Sequence, residues 1–143
     1  MAAGPNGFVA QLLTAVNDHD LEALVGLFSG DYVNQTPAHP ARNFTGNPQV
    51  RRNWETIFAA VPDLSAEVTA QALVENTVWT EWTMDGTRSD GLEHHLRGVV
   101  IFTVVDGQAT AARFYLEPLD TSDGDVNAAV NAMVQPRQAE GQS

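Results

Sequence analysis

The sequence predicts an α+β fold, with helices packed on one face of a curved, mostly antiparallel sheet. Three observations predict it. Apolar residues recur at helical spacing through residues 8–61. Residues 65–84 alternate between two faces. His94 to Leu119 reads as a long hairpin: HHLRGVVIFTVV, the turn DG, then QATAARFYLEPL.

Taken in order, Phe8, Leu12, Ala15 and Val16 share one face of a helix over residues 7–17. Asp20 caps a second helix carrying Leu21, Leu24, Val25 and Phe28, which Gly30-Asp31 ends. DYVNQTPA is a short strand with Tyr32, Asn34 and Thr36 on one side, and Pro37 and Pro40 make the next stretch a loop. Asn47-Pro48 is a cap followed by a first-turn proline. That helix carries Val50, Trp54, Ile57, Phe58 and Val61 and stops before Pro62-Asp63.

Ala66, Val68, Ala70, Ala72 and Val74 line one face of the next strand, and Val78, Thr80, Trp82 and Met84 one face of its neighbour. Asp85 to Leu92 is a polar loop. Val99 to Val105 is β-branched and apolar, the expected centre of the sheet. A two-residue Asp106-Gly107 turn pairs even with odd positions and sets Arg113 beside Val100 and Phe102. A three-residue loop, Val105 to Gly107, keeps the faces clean. It pairs Val100 with Ala112, Gly98 with Phe114 and Leu96 with Leu116 on the apolar face. On the polar face it pairs Arg97 with Tyr115 and His95 with Glu117. A last amphipathic helix carries Val126, Val130, Met133 and Val134 and is expected to dock on a sheet edge or over a pocket mouth.

The 143 residues fit one domain over 7–121, with the short helix and a polar tail over 122–143 and a disordered tail over 1–6. There is no cysteine, hence no disulfide, thiol catalysis or Cys-ligated metal. A net charge of −11 argues against nucleic acid and anionic membranes as partners. The start, MAAGPNGF, lacks the pattern of a signal peptide, and no apolar run reaches membrane-spanning length. A cytoplasmic protein is expected.

The stretches FVAQLLTAVNDHDLEALVGLFSGDYV, NFTGNPQVRRNWETIFAAVPDL and RGVVIFTVVDGQATAARFYLEPLD resemble the nuclear transport factor two-like superfamily, SnoaL-like branch, over residues 8–120. The resemblance implies a cone-shaped α+β barrel, three helices closing a curved sheet around a deep apolar pocket. It also implies a homodimer through the convex face, where Arg97, Arg113, Tyr115 and Glu117 sit. The superfamily spans polyketide cyclases, ketosteroid isomerases, epoxide hydrolases, cycloaddition catalysts and non-catalytic binders, so the fold does not choose the function.

The face assignments put Leu12, Val16, Phe28, Tyr32, Asn34, Thr36, Trp54, Phe58, Val78, Thr80, Trp82, Met84, His94, Leu96, Val100, Phe102, Phe114 and Leu116 on the cavity side. None is a carboxylate. Where the isomerases that this chain resembles carry Tyr, Asp and Asp, it has Leu12, Thr36 and Val100. Where the limonene-type epoxide hydrolases carry an Asp-Arg-Asp relay, it has Trp82, Met84 and Phe114, although Tyr32 and Asn34 match their water-holding Tyr-x-Asn pair. Enolisation and water activation both lack their base.

The candidate catalytic residues are then Tyr32, Asn34, His94 and His39. Tyr32 is either a donor to a substrate carbonyl or a core tyrosine. Asn34 is either a ligand clamp or a brace for the proline-rich loop. His94 and His39 are either acid–base groups or rim histidines. His95 is read as structural and His19 as solvated. His39 and His94 together lack a third metal ligand, so neither metal nor cofactor is expected. Trp54, Trp82 and Met84 suit a flat, unsaturated, apolar ligand.

The leading expectation is a cyclase of secondary metabolism that folds a polyketide-like substrate by shape and one or two hydrogen bonds. A His-based hydrolase or isomerase, a carrier of apolar small molecules, and a dimerisation domain with a filled core are the alternatives.

Overall fold

A computed structural model describes residues 4–135. Helix α1 spans Pro5–Asn17, α2 Leu21–Val25, strand β1 Phe28–Gln35, β2 Phe44–Thr45, and α3 Asn47–Ala60. Strands β3 to β6 follow as Ser65–Val74, Thr77–Thr87, Glu93–Val105 and Gln108–Pro118, and α4 is Val126–Val134. The strands form one sheet in the order β2-β1-β6-β5-β4-β3. β1 runs parallel to β6 and every other pair is antiparallel. The α+β class and the helix-covered, curved sheet are as the sequence predicts.

α1 buries Phe8, Val9, Leu12, Ala15 and Val16 against the concave face. Phe8 meets Phe102 at 5.1 Å and Phe28 at 6.2 Å, both edge-to-face. Asn17 latches the end of α1 to β3. Its Nδ2 donates to the Ala66 carbonyl at 3.0 Å, and its Oδ1 accepts from the Ala66 N–H at 2.7 Å. The helix starts at Pro5, so residues 5 and 6 of the expected tail are helical; residues 1–3 and 136–143 lie outside the described residues.

Asp20 caps α2 as expected, accepting from Ala23 N–H at 3.0 Å. The helix ends at Val25, however, and Phe28 opens β1 rather than closing α2. α3 is capped by Gly46, in the left-handed region at φ 92°. Asn47 is therefore its first residue, and its side chain donates to the Phe28 carbonyl at 3.1 Å. β2, a two-residue edge strand, has no signal in the sequence pattern.

The β5–β6 hairpin differs from the expected register in an instructive way. Asp106 and Gly107, at φ 53° and 78°, form a two-residue turn between Val105 and Gln108. The parity conflict is resolved two residues later, where Thr110 is left unpaired as a bulge between Ala109 and Ala111. From there even pairs with even, but shifted by two: Val100 faces Phe114, Phe102 Ala112, Gly98 Leu116 and Arg97 Glu117. Val100, Phe102 and Ala112 are accordingly buried.

Gly98, at φ 153°, lets the strands close on each other. A β-carbon there would stand 2.0 Å from the Tyr115 carbonyl oxygen. The glycine thus accommodates the close approach of the β6 backbone.

A second bulge, at Thr69, flips the parity of β3. Ala66 and Val68 pair with inward Met84 and Trp82, but Ala70, Ala72 and Val74 do not stay on that face. Gln71 and Leu73 take their place opposite Thr80 and Val78. This end of β3 is an exposed edge. α4 does not bury its stripe: Val126, Val130, Met133 and Val134 are all exposed.

Candidate functional site

α3 lies across the open end of the concave sheet and leaves a cavity of about 290 Å³. Phe28, Tyr32, Asn34 and Thr36 of β1 and its end form one wall, and Val50, Asn53, Trp54 and Ile57 of α3 the roof. Met84, Leu96, Phe114 and Leu116 form the floor, and Arg42 and Phe44 close the side. Helical spacing explains the roof, since residues 50, 53, 54 and 57 recur on one face of a helix.

Behind this chamber is a void of only about 20 Å³, walled by Leu12, Val16, Trp82, Val100 and Phe102, with Phe28, Trp54, Met84 and Phe114 common to both. A void of that size with apolar walls holds a water at most and no ligand. A larger cleft, about 400 Å³, lies outside the barrel beside α1 and α2, where exposed Gln11, Thr14, Asp18 and Asp20 line it. Ala10, Ala15, Ala23 and Leu27 line it too, but it is more open to solvent than the chamber.

The expected contacts divide accordingly. Phe28, Thr36, Trp54, Met84, Leu96, Phe114 and Leu116 line the chamber together with Tyr32 and Asn34. Leu12, Val16, Trp82, Val100 and Phe102 face inward but belong to the packed core behind it. Thr80 is consumed internally: Trp82 Nε1 donates to its Oγ1 at 2.6 Å, and that hydroxyl donates to the Val100 carbonyl at 2.6 Å. Phe58 turns away to stack on His19 at 4.5 Å. His19 is not solvated either; its Nε2 bonds the Leu64 carbonyl at 2.9 Å.

Neither candidate histidine lines the chamber. His94 stands opposite Gly86, beyond the Met84–Leu96 pair that marks the cavity's edge. His39 Nε2 meets Glu117 Oε2 at 3.1 Å. The pairing expected for His95 with Glu117 is replaced by two others. His95 Nδ1 lies 2.6 Å from Asp85 and Nε2 lies 2.7 Å from Glu93. These two carboxylates, Glu93 first, raise the His95 pKa above its ordinary value, and His95 with Arg97 lowers that of Asp85.

Tyr32 and Asn34, two residues apart on one strand, point the same way. Tyr32 Oη donates to Asn34 Oδ1 at 2.6 Å, deep in the wall. Burial pushes the Tyr32 pKa well up, so the phenol keeps its proton and cannot act as a base. The bond also decides what the pair offers. With its oxygen engaged, Asn34 retains its amide N–H groups, and donation into the carbonyl polarises that amide.

Arg42, Phe44, Val50, Asn53 and Ile57 complete the chamber beyond the residues expected for it. Asn53 was legible in principle, being a polar residue inside the apolar stripe Val50–Trp54–Ile57. Arg42 ends a single 3-10 turn, Pro40–Arg42, and Phe44 sits in a two-residue strand, both too short for periodicity to mark a face.

Comparison with known proteins follows this geometry. The family model described as a SnoaL-like domain matches residues 9–112. No curated protein matches the chain. Among solved structures, wild-type IdmH, a proposed polyketide cyclase from Streptomyces antibioticus, is similar at TM-score 0.70 and 22% identity. That match covers 80% of this chain and 92% of IdmH. AclR, a proposed hydroxylase from Streptomyces galilaeus, is similar at TM-score 0.67 and 21% identity over 79% of this chain and 78% of its own. A SnoaL-like protein from Shewanella putrefaciens, proposed as a polyketide cyclase, has TM-score 0.67 at 10% identity over 79% of each chain. At these identities the likeness is one of fold.

Proposed function

Because the chain belongs to the SnoaL-like domain family, we propose that it binds an apolar, polyketide-like molecule in the chamber and promotes its intramolecular ring closure. One observation carries the reading: the chamber is walled by aromatic and aliphatic side chains, contains no carboxylate or histidine, and offers a polarised donor at Tyr32–Asn34. A site without a base favours chemistry that needs none. Ring closure or cycloaddition of a folded chain is such chemistry, because holding the reacting ends together is worth on the order of 7–11 kcal/mol in favourable systems. A hydrogen bond from Asn34 to an acceptor carbonyl adds about 1 kcal/mol. The kinship in fold with proteins proposed as polyketide cyclases supports the same substrate class.

The chamber, at about 290 Å³, lies at the lower limit of organic-ligand sites, so it suits a compact substrate or the reacting segment of a longer one. The His-based hydrolase loses its support, since neither ring reaches the chamber. A carrier remains the competing reading, favoured by the same absence of acid–base groups. The experiment is incubation with linear polyenes bearing an internal carbonyl, following loss of polyene absorbance and product mass. Acceleration over buffer, lost in Trp54→Ala, is the expected result. Saturable binding with the polyene recovered unchanged makes the protein a carrier instead.

A further inference from the structure

The polar atoms of the chamber are biased toward donation. Asn34 spends its carbonyl oxygen on Tyr32. Asn53 does likewise: its Oδ1 accepts from Gln49 Nε2 at 2.8 Å, one turn earlier on α3. Both amide nitrogens are left for a ligand. The Arg42 guanidinium donates only, the Tyr32 phenol is engaged with Asn34, and the Thr36 hydroxyl can donate or accept. Arg42 is also the one charged residue among those lining the chamber. Arg51, Arg88 and Arg97 each pair with a carboxylate, on Glu22, Asp90 and Asp85; among the described residues Arg42, Arg52 and Arg113 have no ion-pair partner, and of these three Arg42 alone lines the chamber. The chain has no lysine and carries a net charge of −11, so an unpaired cation beside an apolar cavity is set against its surroundings.

We propose that Arg42 and Asn53 form a carboxylate-binding subsite, so that the chamber's ligand is an acid with an apolar body. This rests on the reading of the chamber as an apolar binding site and names the class of molecule it selects. The body lies along Trp54, Phe114 and Leu116. The carboxylate meets the guanidinium, whose planar fork matches two oxygens. An acceptor further along the chain reaches Asn34. A ligand ending in an ammonium group would present only hydrogens to donors and would also meet the Arg42 charge, and a neutral hydroxyl would accept without offering the guanidinium a counter-charge.

The test is calorimetric titration of the full chain with decanoate and with methyl decanoate, which share a body and differ in charge. A hydrogen-bonded charge at a solvent-exposed mouth supports about a five- to tenfold preference for the acid. Arg42→Gln should abolish that preference by lowering decanoate affinity more than ester affinity; Arg42→Lys should keep part of it. Asn53→Asp, which preserves the bond from Gln49, should weaken decanoate and spare the ester. The preference should also shrink in high salt. Equal binding of acid and ester by the wild type, or a preference that survives Arg42→Gln, overturns the subsite while leaving the apolar chamber standing. Failure of both probes to bind overturns the chamber reading, and the subsite with it.

Discussion

Asn34 is the residue on which ligand recognition turns. Asn34→Leu should weaken a carbonyl-bearing ligand by about 5- to 30-fold, the worth of one to two kcal/mol, and leave a hydrocarbon of the same shape unaffected. Paired titrations measure the difference. Trp82 tests something else. It is buried, and its indole is bonded to Thr80, so Trp82→Ala should lower unfolding free energy by about 3–5 kcal/mol, read by denaturant titration. Substitutions meant to probe ligand contact therefore belong at Trp54. His95 makes a pH prediction. Its pKa is raised by Glu93 and Asp85, so its contribution is full below the unfolded value, about 6.5, and is lost as pH climbs through the raised folded value. Asp85, with a lowered pKa, contributes above its ordinary value and loses that contribution only as acid reaches the lowered one. Melting temperature should thus decline modestly from pH 6 to 9, since the cluster faces solvent, and the decline should flatten in His95→Asn.

At the scale of elements, the hairpin shows which information the sequence carries plainly. The even-numbered positions from Leu96 to Val104 and from Ala112 to Pro118 are apolar, and the two-residue period makes their shared face readable: Val100, Phe102 and Ala112 are buried as the pattern requires. The absolute register was not readable. Asp106-Gly107 is a strong two-residue turn signal, but one unpaired residue at Thr110 converts its odd parity into an even one. Bulges at Thr110 and Thr69 follow from packing across strands, which no local pattern reports. The same limit hid Arg42 and Phe44, which reach the chamber from a single 3-10 turn and a two-residue strand. Gly98→Ala should be the most disruptive single change in the sheet, costing more than about 4 kcal/mol, because the new β-carbon meets backbone rather than a side chain that can turn aside. Denaturant titration checks it. α4 is only 9 residues long and leaves its apolar stripe exposed. A helix that short is marginal alone, so its amides should exchange with deuterium far faster than those of α1.

For the whole molecule, the fold class was legible because it follows from face assignments. The division into a chamber and a packed core was not, because it depends on how deeply α1 drives Phe8 and Leu12 against the sheet. The convex face exposes Val33, Trp79 and Tyr115 around the hairpin. We propose that two copies meet there, and sedimentation of Trp79→Glu against the wild type tests it: a dimer for the wild type, a monomer for the variant. No helix among the described residues is long and apolar enough to cross a membrane. What remains central is the chamber itself. Titration with 1-aminoanthracene, a neutral fluorophore, tests it most directly when wild type is compared with Leu116→Trp, which fills the cavity floor. One saturable site per chain in the wild type, lost in the variant at similar melting temperature, is the predicted result. No saturable site, or one that the added indole leaves untouched, would contradict a ligand-binding interior.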